Sequence, residues 1–250
     1  MQDVFAVEEG RFVVDKDILV PSPAAAREYL EREIAWANVR AHLATQGDDE
    51  VGAGNAALTQ FTPGDLPSMW EFPANTRLTY CIDERSFGSR AGELVAALHS
   101  AMESWSRVAN VRFERKWLDS CDKRSDEVVF NVRRLRDDNF VALAFFPTDE
   151  RRDREFLVSN DAFESERASL VGILEHELGH VLGFRHEHIW VGCGPESTGE
   201  ATPLTPYDVN SVMHYPQCRP GGGGGLSLSD LDRRGVVQVY GLAPALISVI

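Results

Sequence analysis

Three histidines that lie close together in the sequence have the spacing of ligands to a single metal ion. Residues four positions apart share one face of an α-helix, so His176 and His180 would present their imidazoles one turn apart. Gly183 can take a left-handed backbone conformation that ends this helix, and the chain could then fold back to bring His186 to the same ion. Neutral imidazoles suit zinc, and a catalytic zinc site has three protein ligands and one water molecule. The spacing therefore predicts a catalytic zinc site.

Glu177, next to the first of these histidines, is placed to act as a general base. Zinc lowers the pKa of a bound water to roughly 7, and a carboxylate beside that water can take its proton. The alternative is an amphipathic helix with coincidental histidines. A bare H-E-x-x-H occurs in about one chain of this length in a hundred, and the glycine and third histidine make coincidence rarer by roughly several hundred. We therefore favour the zinc site.

The extended motif H-E-x-x-H-x-x-G-x-x-H resembles that of the metzincin metallopeptidases, in which a Met-turn follows the zinc ligands. The run from Ser211 to Tyr215, Ser-Val-Met-His-Tyr, resembles the astacin-type Met-turn, and Glu187 after the third histidine is also an astacin-like feature. This resemblance implies that Met213 forms an apolar floor beneath the zinc ligands without binding the ion. It also implies that Tyr215 is a mobile zinc ligand that swings to stabilise the oxyanion. The run 183–188 is similar to that of bacterial secreted relatives of the astacins.

The fold expected from the resemblance is α+β: a twisted mixed sheet packed on two long helices, with a smaller irregular C-terminal subdomain. Hydrophobic periodicity gives elements in the corresponding order, because alternating apolar residues indicate strands and a 3.6-residue period indicates helices. The predicted strands are 77–82, 111–113, 127–132, 140–147 and 155–159, and the predicted helices are 89–110, 164–182 and 227–240.

The chain divides into a propeptide-like segment, residues 1–64, and a catalytic domain, residues 65–250. Within the catalytic domain, residues 65–187 form the expected N-terminal subdomain and residues 188–250 the C-terminal one. The first segment begins with a strand-like run, Arg11–Val14, and a helix with Ser22 as its N-cap and Pro23 at its first position. Leu30, Ile34 and Leu43 give that helix an apolar face, and Gln46–Thr59 has the composition of a linker.

Residues 61–65, Phe-Thr-Pro-Gly-Asp, resemble the astacin propeptide motif F-x-G-D, with one additional residue before the glycine. In that motif the aspartate takes the place of the catalytic water, so the resemblance implies a latent enzyme in which Asp65 caps the zinc. The alternative is a Pro-Gly turn at the entry to the domain. A matrixin-type cysteine switch is excluded, because no cysteine precedes Cys81. The resemblance also implies that Glu187 contacts the mature N-terminus.

Charge and cysteine content limit the partners and the compartment. A net charge of -14 argues against electrostatic binding to nucleic acid or to anionic membranes. No apolar run is long enough to span a membrane. Four cysteines suggest two disulfides, for which we expect Cys81–Cys121 and Cys193–Cys218; four free thiols are the alternative. We therefore expect a secreted or extracytoplasmic monomer, although the first ten residues lack the features of a signal peptide.

For the remaining histidines and charged runs, the sequence favours structural or solvent-exposed roles. We expect His188 on the surface and His214 as a hydrogen-bonding residue of the Met-turn. His42 and His99 have no partner at ligand spacing, so packing roles are expected. Acidic and charged runs at 48–50 and 149–154 are predicted to be solvated loops, with calcium binding as the alternative, and residues 221–225 are predicted to be a flexible loop.

These features predict a zinc-dependent endopeptidase that acts on protein or peptide substrates and binds one catalytic zinc ion. Glu177 would take a proton from the attacking water and pass it to the leaving amine, and Tyr215 would help to stabilise the oxyanion. Two other classes remain open: a zinc hydrolase of a non-peptide amide, and an inactive zinc-binding module. The presence of Glu177 argues against the inactive module, because a structural zinc site needs no base.

Overall fold

A computed structural model describes residues 5–7, 11–14, 17–20, 22–24, 26–27, 57–71, 77–121, 125–137, 139–193, 198–219 and 225–244. Within these ranges, none of the helices has the length and apolar character that a membrane span requires. The predicted helical face at Leu30, Ile34 and Leu43 lies outside the described residues, as do His42, the acidic run 48–50 and residues 221–224.

The largest sheet has five strands, β5 (Leu78–Ile82), β6 (Phe113–Arg115), β7 (Phe130–Arg134), β8 (Ala142–Leu143) and β9 (Glu155–Val158). Their order across the sheet is β6-β5-β7-β9-β8. The first four strands in this order pair in parallel, and only β8, at one edge, is antiparallel. The α+β class with a mixed sheet is therefore confirmed.

Two long helices, α2 (Ala91–Ser106) and α3 (Leu170–Val181), pack on each other and on one face of this sheet. A short helix, α1 (Glu84–Phe87), precedes them, and α4 (Asp230–Tyr240) follows them. Apolar residues at helical spacing on α2, such as Leu94, Leu98 and Trp105, lie in one buried cluster with Phe130 and Leu178. The Trp105 indole also donates a hydrogen bond to the carbonyl of Glu175, which ties α2 to α3 at the site-bearing turn.

Helix α3 begins later than the sequence predicts. Ser169 caps it by accepting a hydrogen bond from the Gly172 amide, as serine commonly does at a helix N-terminus. The preceding residues Asn160–Phe163 form a separate 3-10 turn. The start predicted at residue 164 was therefore wrong, because a polar run around Ser165–Arg167 forms its own side-chain-to-backbone turn.

A three-stranded sheet of order β10-β4-β11 joins distant parts of the chain: β4 (Ala57–Phe61), β10 (Phe184–Arg185) and β11 (Ala201–Thr205). The prediction of a linker was wrong for residues 57–59, which form part of β4, and residues 46–56 lie outside the described ranges. Leu58 of β4 packs so closely on α4 that a β-carbon added to Gly235 would crowd it. The predicted domain boundary after residue 64 thus lies just beyond β4, which pairs with two strands of the predicted catalytic domain, β10 and β11.

The N-terminal residues form an antiparallel sheet of three strands: β1 (Phe5–Val7), β2 (Arg11–Val14) and β3 (Ile18–Val20). Val13 and Leu19 face each other across β2 and β3. Both pack against the face of the five-stranded sheet that the helices leave uncovered. The N-terminal segment is therefore a cover on that sheet.

Both expected disulfides, Cys81–Cys121 and Cys193–Cys218, are present, and the described chain has no free cysteine. The second joins the loop after β10 to the turn that follows Tyr215. Ala243 is buried and donates its amide to Val108, so the described part of the C-terminus packs on the domain.

Candidate metal centre

Helix α3 and the turn after it bring the three predicted histidines together. His176 and His180 stand one turn apart on α3, with ring centroids 5.1 Å from each other. Gly183 has a φ of 90°, which reverses the chain and leads His186 back to the helix. The His186 ring then lies 5.2 Å from His176 and 4.7 Å from His180. A side chain at Gly183 would also collide with the backbone carbonyl of Ser68, so both backbone conformation and space require glycine here.

Backbone carbonyls fix the orientation of two of these rings. The Nδ1 of His176 lies 2.8 Å from the carbonyl oxygen of Val212, and that of His180 lies 2.8 Å from the carbonyl oxygen of Phe184. A carbonyl only accepts, so each Nδ1 carries the proton and each Nε2 keeps a free lone pair. Such bonds are the usual support for histidines that bind metal through Nε2.

The fourth member of the cluster is Asp17, from the turn before β3. Its Oδ2 lies 2.9 Å from His186 Nε2 and 3.4 Å from His176 Nε2, and its Oδ1 lies 3.8 Å from His180 Nε2. One ligand atom from each of the four residues lies within 4.8 Å of the others. Burial raises the pKa of Asp17, but the charge of His186 and the close approach of the three histidine rings outweigh it and hold that pKa well below its usual range.

The donor set fits zinc. Three buried imidazoles and one carboxylate are borderline-soft nitrogen and hard oxygen ligands that commonly bind Zn²⁺ in a tetrahedral arrangement. Nε2 of His180 is buried and has no hydrogen-bond partner within the described part of the chain. Burial lowers the pKa of His180 to about 4, so the ring is neutral at physiological pH, as a metal ligand must be.

Glu177 lies beside the histidine cluster and is buried. Among the described residues its Oε2 has no hydrogen-bond partner. Burial, and then the charge of Asp17, raises the pKa of Glu177 well above its ordinary value, while His186 opposes the shift. Burying a carboxylate oxygen without a hydrogen-bond partner costs free energy unless another group binds to it. This environment therefore suits a carboxyl group that accepts and donates a proton.

Tyr215 reaches the same point from the Met-turn. Its hydroxyl donates a hydrogen bond of 2.5 Å to Oδ2 of Asp17, the oxygen that also faces His176 and His186. The phenol ring is nearly parallel to the rings of His176 and His188, with centroid distances of 5.7 Å and 4.4 Å. These contacts hold the hydroxyl at the histidine cluster.

Met213 lies under helix α3, where it is fully buried against Gly179. The turn that carries it is held by a carboxylate from α4. Asp232 accepts hydrogen bonds from the Ser211 hydroxyl, at 2.6 Å, and from the Val212 amide, at 2.7 Å. The same aspartate forms a capping box with Ser229 at the start of α4. The register of α4 therefore sets the position of the Met-turn.

Glu187 is fully buried next to His186. Its Oε1 accepts a hydrogen bond from the Asp208 amide, at 3.1 Å, and its Oε2 lies 3.5 Å from the Thr59 hydroxyl. Burial raises the pKa of Glu187 to about 9. Glu187 thus contacts β4, a strand that lies within the predicted N-terminal segment, residues 1–64.

The other histidines differ in part from expectation. The prediction that His188 lies on the surface was wrong, because this side chain is buried. It lies in the 3-10 turn that follows His186, and its ring stacks on that of Tyr215. His214 bonds to the Tyr207 hydroxyl and the Tyr215 carbonyl, in keeping with a structural role. His99 is exposed on α2.

Sequence reasoning missed Asp17, the only carboxylate in the described cluster, and Asp232, which holds the Met-turn. Asp17 follows Asp15 in a charged interruption of an otherwise apolar run, a signal that could have marked it. Asp65, the residue expected at the zinc, lies in the 3-10 turn Pro63–Asp65, but its side chain falls outside the described residues.

Comparisons with known proteins agree with the motif. A model of the matrixin family matches residues 70–190, which include all three histidines. The Drosophila melanogaster dorsal-ventral patterning protein tolloid is 39% identical over 64 residues, which cover 18% of this chain and 6% of tolloid. The chain therefore spans a small part of that relative. The solved structure of myroilysin is 17% identical, with a TM-score of 0.49, and the match covers 73% of this chain and 98% of myroilysin.

Proposed function

Starting from the metzincin metallopeptidases, the family to which this chain belongs, we propose that it is a zinc-dependent endopeptidase made in a latent form. One observation carries the proposal. Three buried imidazoles converge with their Nε2 atoms inward, and the two on α3 are oriented by backbone carbonyls. That arrangement is the protein half of a catalytic zinc site with one position left for an exchangeable group.

His176, His180 and His186 would hold the zinc ion. When bound, the ion would supply Lewis acidity, which polarises a scissile carbonyl and lowers the pKa of a water molecule at the site. The contribution of the chain is to keep three buried, neutral nitrogen donors in place.

Glu177 acts as the general base in this proposal. Its carboxylate is buried beside the histidines and has an oxygen free of hydrogen bonds within the described residues, so it can accept a proton from the attacking water. The same carboxyl then donates that proton to the nitrogen of the departing amine. Burial raises the pKa of Glu177, and a raised pKa makes its carboxylate a stronger base for the first step.

Tyr215 stabilises the charge that develops on the carbonyl oxygen. In the present structure its hydroxyl donates to a carboxylate oxygen of Asp17, an anionic acceptor placed at the histidine cluster. A tetrahedral oxyanion at that place would offer the same donor a similar partner. Tyr215 and Glu187 together support an astacin-like subtype, since both features belong to that branch of the family.

Asp17 is the restraint in the latent form that we propose. Its carboxylate faces all three histidines and engages Tyr215, so it takes the place that water and substrate need. This assigns to Asp17 the role that the sequence motif suggested for Asp65. The propeptide would correspond to residues 1–64, and the catalytic domain to residues 65–250.

The backbone beside Asp17 supports the same conclusion. The backbone carbonyl of Asp17 accepts a hydrogen bond from the Ala144 amide at 3.1 Å, and the Leu19 amide donates to the Ala144 carbonyl at 3.2 Å. The segment thus pairs in parallel with the chain just after β8, at the edge of the five-stranded sheet. An extended peptide can add as a strand to an exposed edge of a sheet. Here the N-terminal segment occupies that edge of the five-stranded sheet.

The two disulfides support a secreted or extracytoplasmic location, because such bonds form in oxidising compartments. The expected partner is a protein or peptide substrate, and we propose that the enzyme acts as a monomer.

A digest of casein and of a mixed peptide library tests the function. The full chain and a sample freed of its N-terminal residues are compared, with and without a zinc chelator, and cleavage sites are identified by mass spectrometry. We expect chelator-sensitive internal cleavage by the freed sample and little by the full chain. Zinc binding without cleavage would contradict the peptidase and favour a non-peptide amidase or an inactive zinc module.

A further inference from the structure

The N-terminal segment contacts the domain at a second place, away from the histidine cluster. The second contact is on the face of the five-stranded sheet opposite α2 and α3. Glu155 and Leu157 of β9 point to that face, while the alternate residues Phe156 and Val158 lie in the core beneath the helices. Arg11 of β2 meets Glu155 there.

An ion pair anchors this contact. The Arg11 guanidinium bonds to one oxygen of the Glu155 carboxylate, and Arg133 Nε donates to the other oxygen at 2.6 Å. The side chains of Arg11 and Glu155 are 5% and 2% exposed. A paired buried charge is tolerated, but removing one partner leaves the other charge uncompensated in a poorly solvated place. The pair therefore gives the contact a strong requirement for arginine.

Apolar packing surrounds the ion pair. Val13 and Leu19 of the N-terminal segment enter a cluster with four apolar residues of the sheet side, namely Leu135, Phe140, Leu143 and Leu157, all of which are buried. These four side chains would face water if the segment left. Burial of apolar area is favourable and needs no metal, so it continues to act when the zinc site is empty or altered.

We propose that this outer face is a docking surface for residues 11–14 and 17–20, and that it retains the N-terminal segment after the chain is cut. This inference rests on the proposed latency. It implies that a single cleavage between residues 27 and 57 does not activate the enzyme. The severed segment stays bound as an inhibitor until it is displaced or degraded. Arg11, Val13 and Leu19 hold it on the outer face, and Asp17 holds it at the histidines.

A cleavage experiment on the full chain tests the proposal. A recognition sequence for a specific protease replaces residues 50–55, and the chain carries Glu177→Ala so that its own activity has no influence. After cutting, size-exclusion chromatography and mass spectrometry measure how much of the N-terminal piece elutes with the rest. We expect it to co-elute, both with zinc and with a chelator, and also in the Asp17→Ala variant.

Two variants then address the anchor. Arg11→Ala should speed dissociation of the severed piece by at least about tenfold, whereas Arg27→Ala, which removes an exposed arginine of the same segment, should not. Because Arg11 lies on the piece that leaves, its loss does not disturb the fold of the remaining domain. Glu155→Gln, with folding checked by circular dichroism before cutting, should reproduce the effect.

Separation of the unmodified piece at once would overturn the proposal, as would equal dissociation of the Arg11→Ala and Arg27→Ala pieces. Release caused by Asp17→Ala or by the chelator alone would place the anchor at the histidines and also overturn it. Failure of the proposed peptidase function would appear in the casein digest and would leave these elution results unchanged.

Discussion

The sulfur of Met213 lies against the α-carbon of Gly179, so closely that a β-carbon added to Gly179 would overlap it. The contact joins the helix that carries two of the histidines to the turn that carries Tyr215. Gly179 is one of the two variable positions of H-E-x-x-H, so its type is not required by metal binding. The need for glycine comes from the Met-turn beneath it.

Gly179→Ala should therefore destabilise the protein, although alanine is the better helix former. Overpacking of this kind costs about 1–3 kcal/mol, which thermal or urea unfolding would measure. Gly92→Ala is the matched control: Gly92 is on α2 with open space around it, so the same change should be neutral or slightly stabilising. Equal stability of the Gly179→Ala variant and the parent would show that the Met-turn adapts freely.

Glu177→Ala should leave zinc bound while it lowers peptide hydrolysis by about a hundred- to ten-thousand-fold, because it removes the base and no ligand. His180→Ala should lose both zinc and activity. Metal content by mass spectrometry and kcat with a fluorogenic peptide give the two readouts. Loss of stoichiometric zinc in Glu177→Ala would mean that Glu177 is more than the base.

Tyr215→Phe should lower kcat by about a hundred- to a thousand-fold and change KM little, since the hydroxyl acts on the charge that forms in the transition state. Zinc content and melting temperature should stay close to those of the parent. Tyr207→Phe is the comparison, because it removes a hydroxyl that bonds only to His214 among the described contacts. An equal loss in both variants would point to the hydrogen-bond network rather than to the oxyanion.

Asp17→Ala should raise the activity of the uncut full chain, because the carboxylate at the three histidines is removed. The activity should remain below that of the chain without its N-terminal segment, since the pairing with Ala144 and the docking on the outer face persist. Asp65→Ala is the control and should leave latency unchanged. Activation by Asp65→Ala alone would return the restraint to the residue that the motif suggested.

We expect Asp149 to make the stability of the protein depend on pH. Burial raises the pKa of this carboxyl from 3.8 to about 7, although the Phe146 amide donates to it and Arg154 is nearby. The unfolded chain loses the proton first, so the free energy of unfolding falls between about pH 4 and about pH 7 and is constant above. Asp149→Asn keeps the acceptor for the amide and should flatten this decline in urea titrations from about pH 5 to about pH 8. An unchanged decline would assign it to another group.

The elements with strong periodicity were predicted close to their true positions. The strand at β5 and the final helix, for which Ser229 supplies the cap, agree within a few residues. The predictions that failed depended on partners far along the chain. Residues 57–59 have linker-like composition but form a strand, because β10 and β11 offer it hydrogen bonds on both sides. Composition contains no information about such partners.

In the candidate metal site, too, local features were predicted correctly and long-range ones were not. Local spacing was enough to place His176 and His180 on one helix face, since that depends only on the geometry of the α-helix. His188 was misplaced because its burial depends on a turn and on the Tyr215 ring, which comes from a distant part of the sequence.

The sequence by itself determined the residue types from which the zinc chemistry is proposed: three histidines, a glutamate and a tyrosine, with spacings set by helix and turn geometry. Only the tertiary structure decided which carboxylate faces them. Asp17 is 159 residues from His176 and reaches it because β3 pairs with the sheet edge at Ala144 and because Val13 and Leu19 pack on the outer face. Contacts of that range arise from the packing of complete surfaces, which no local pattern encodes.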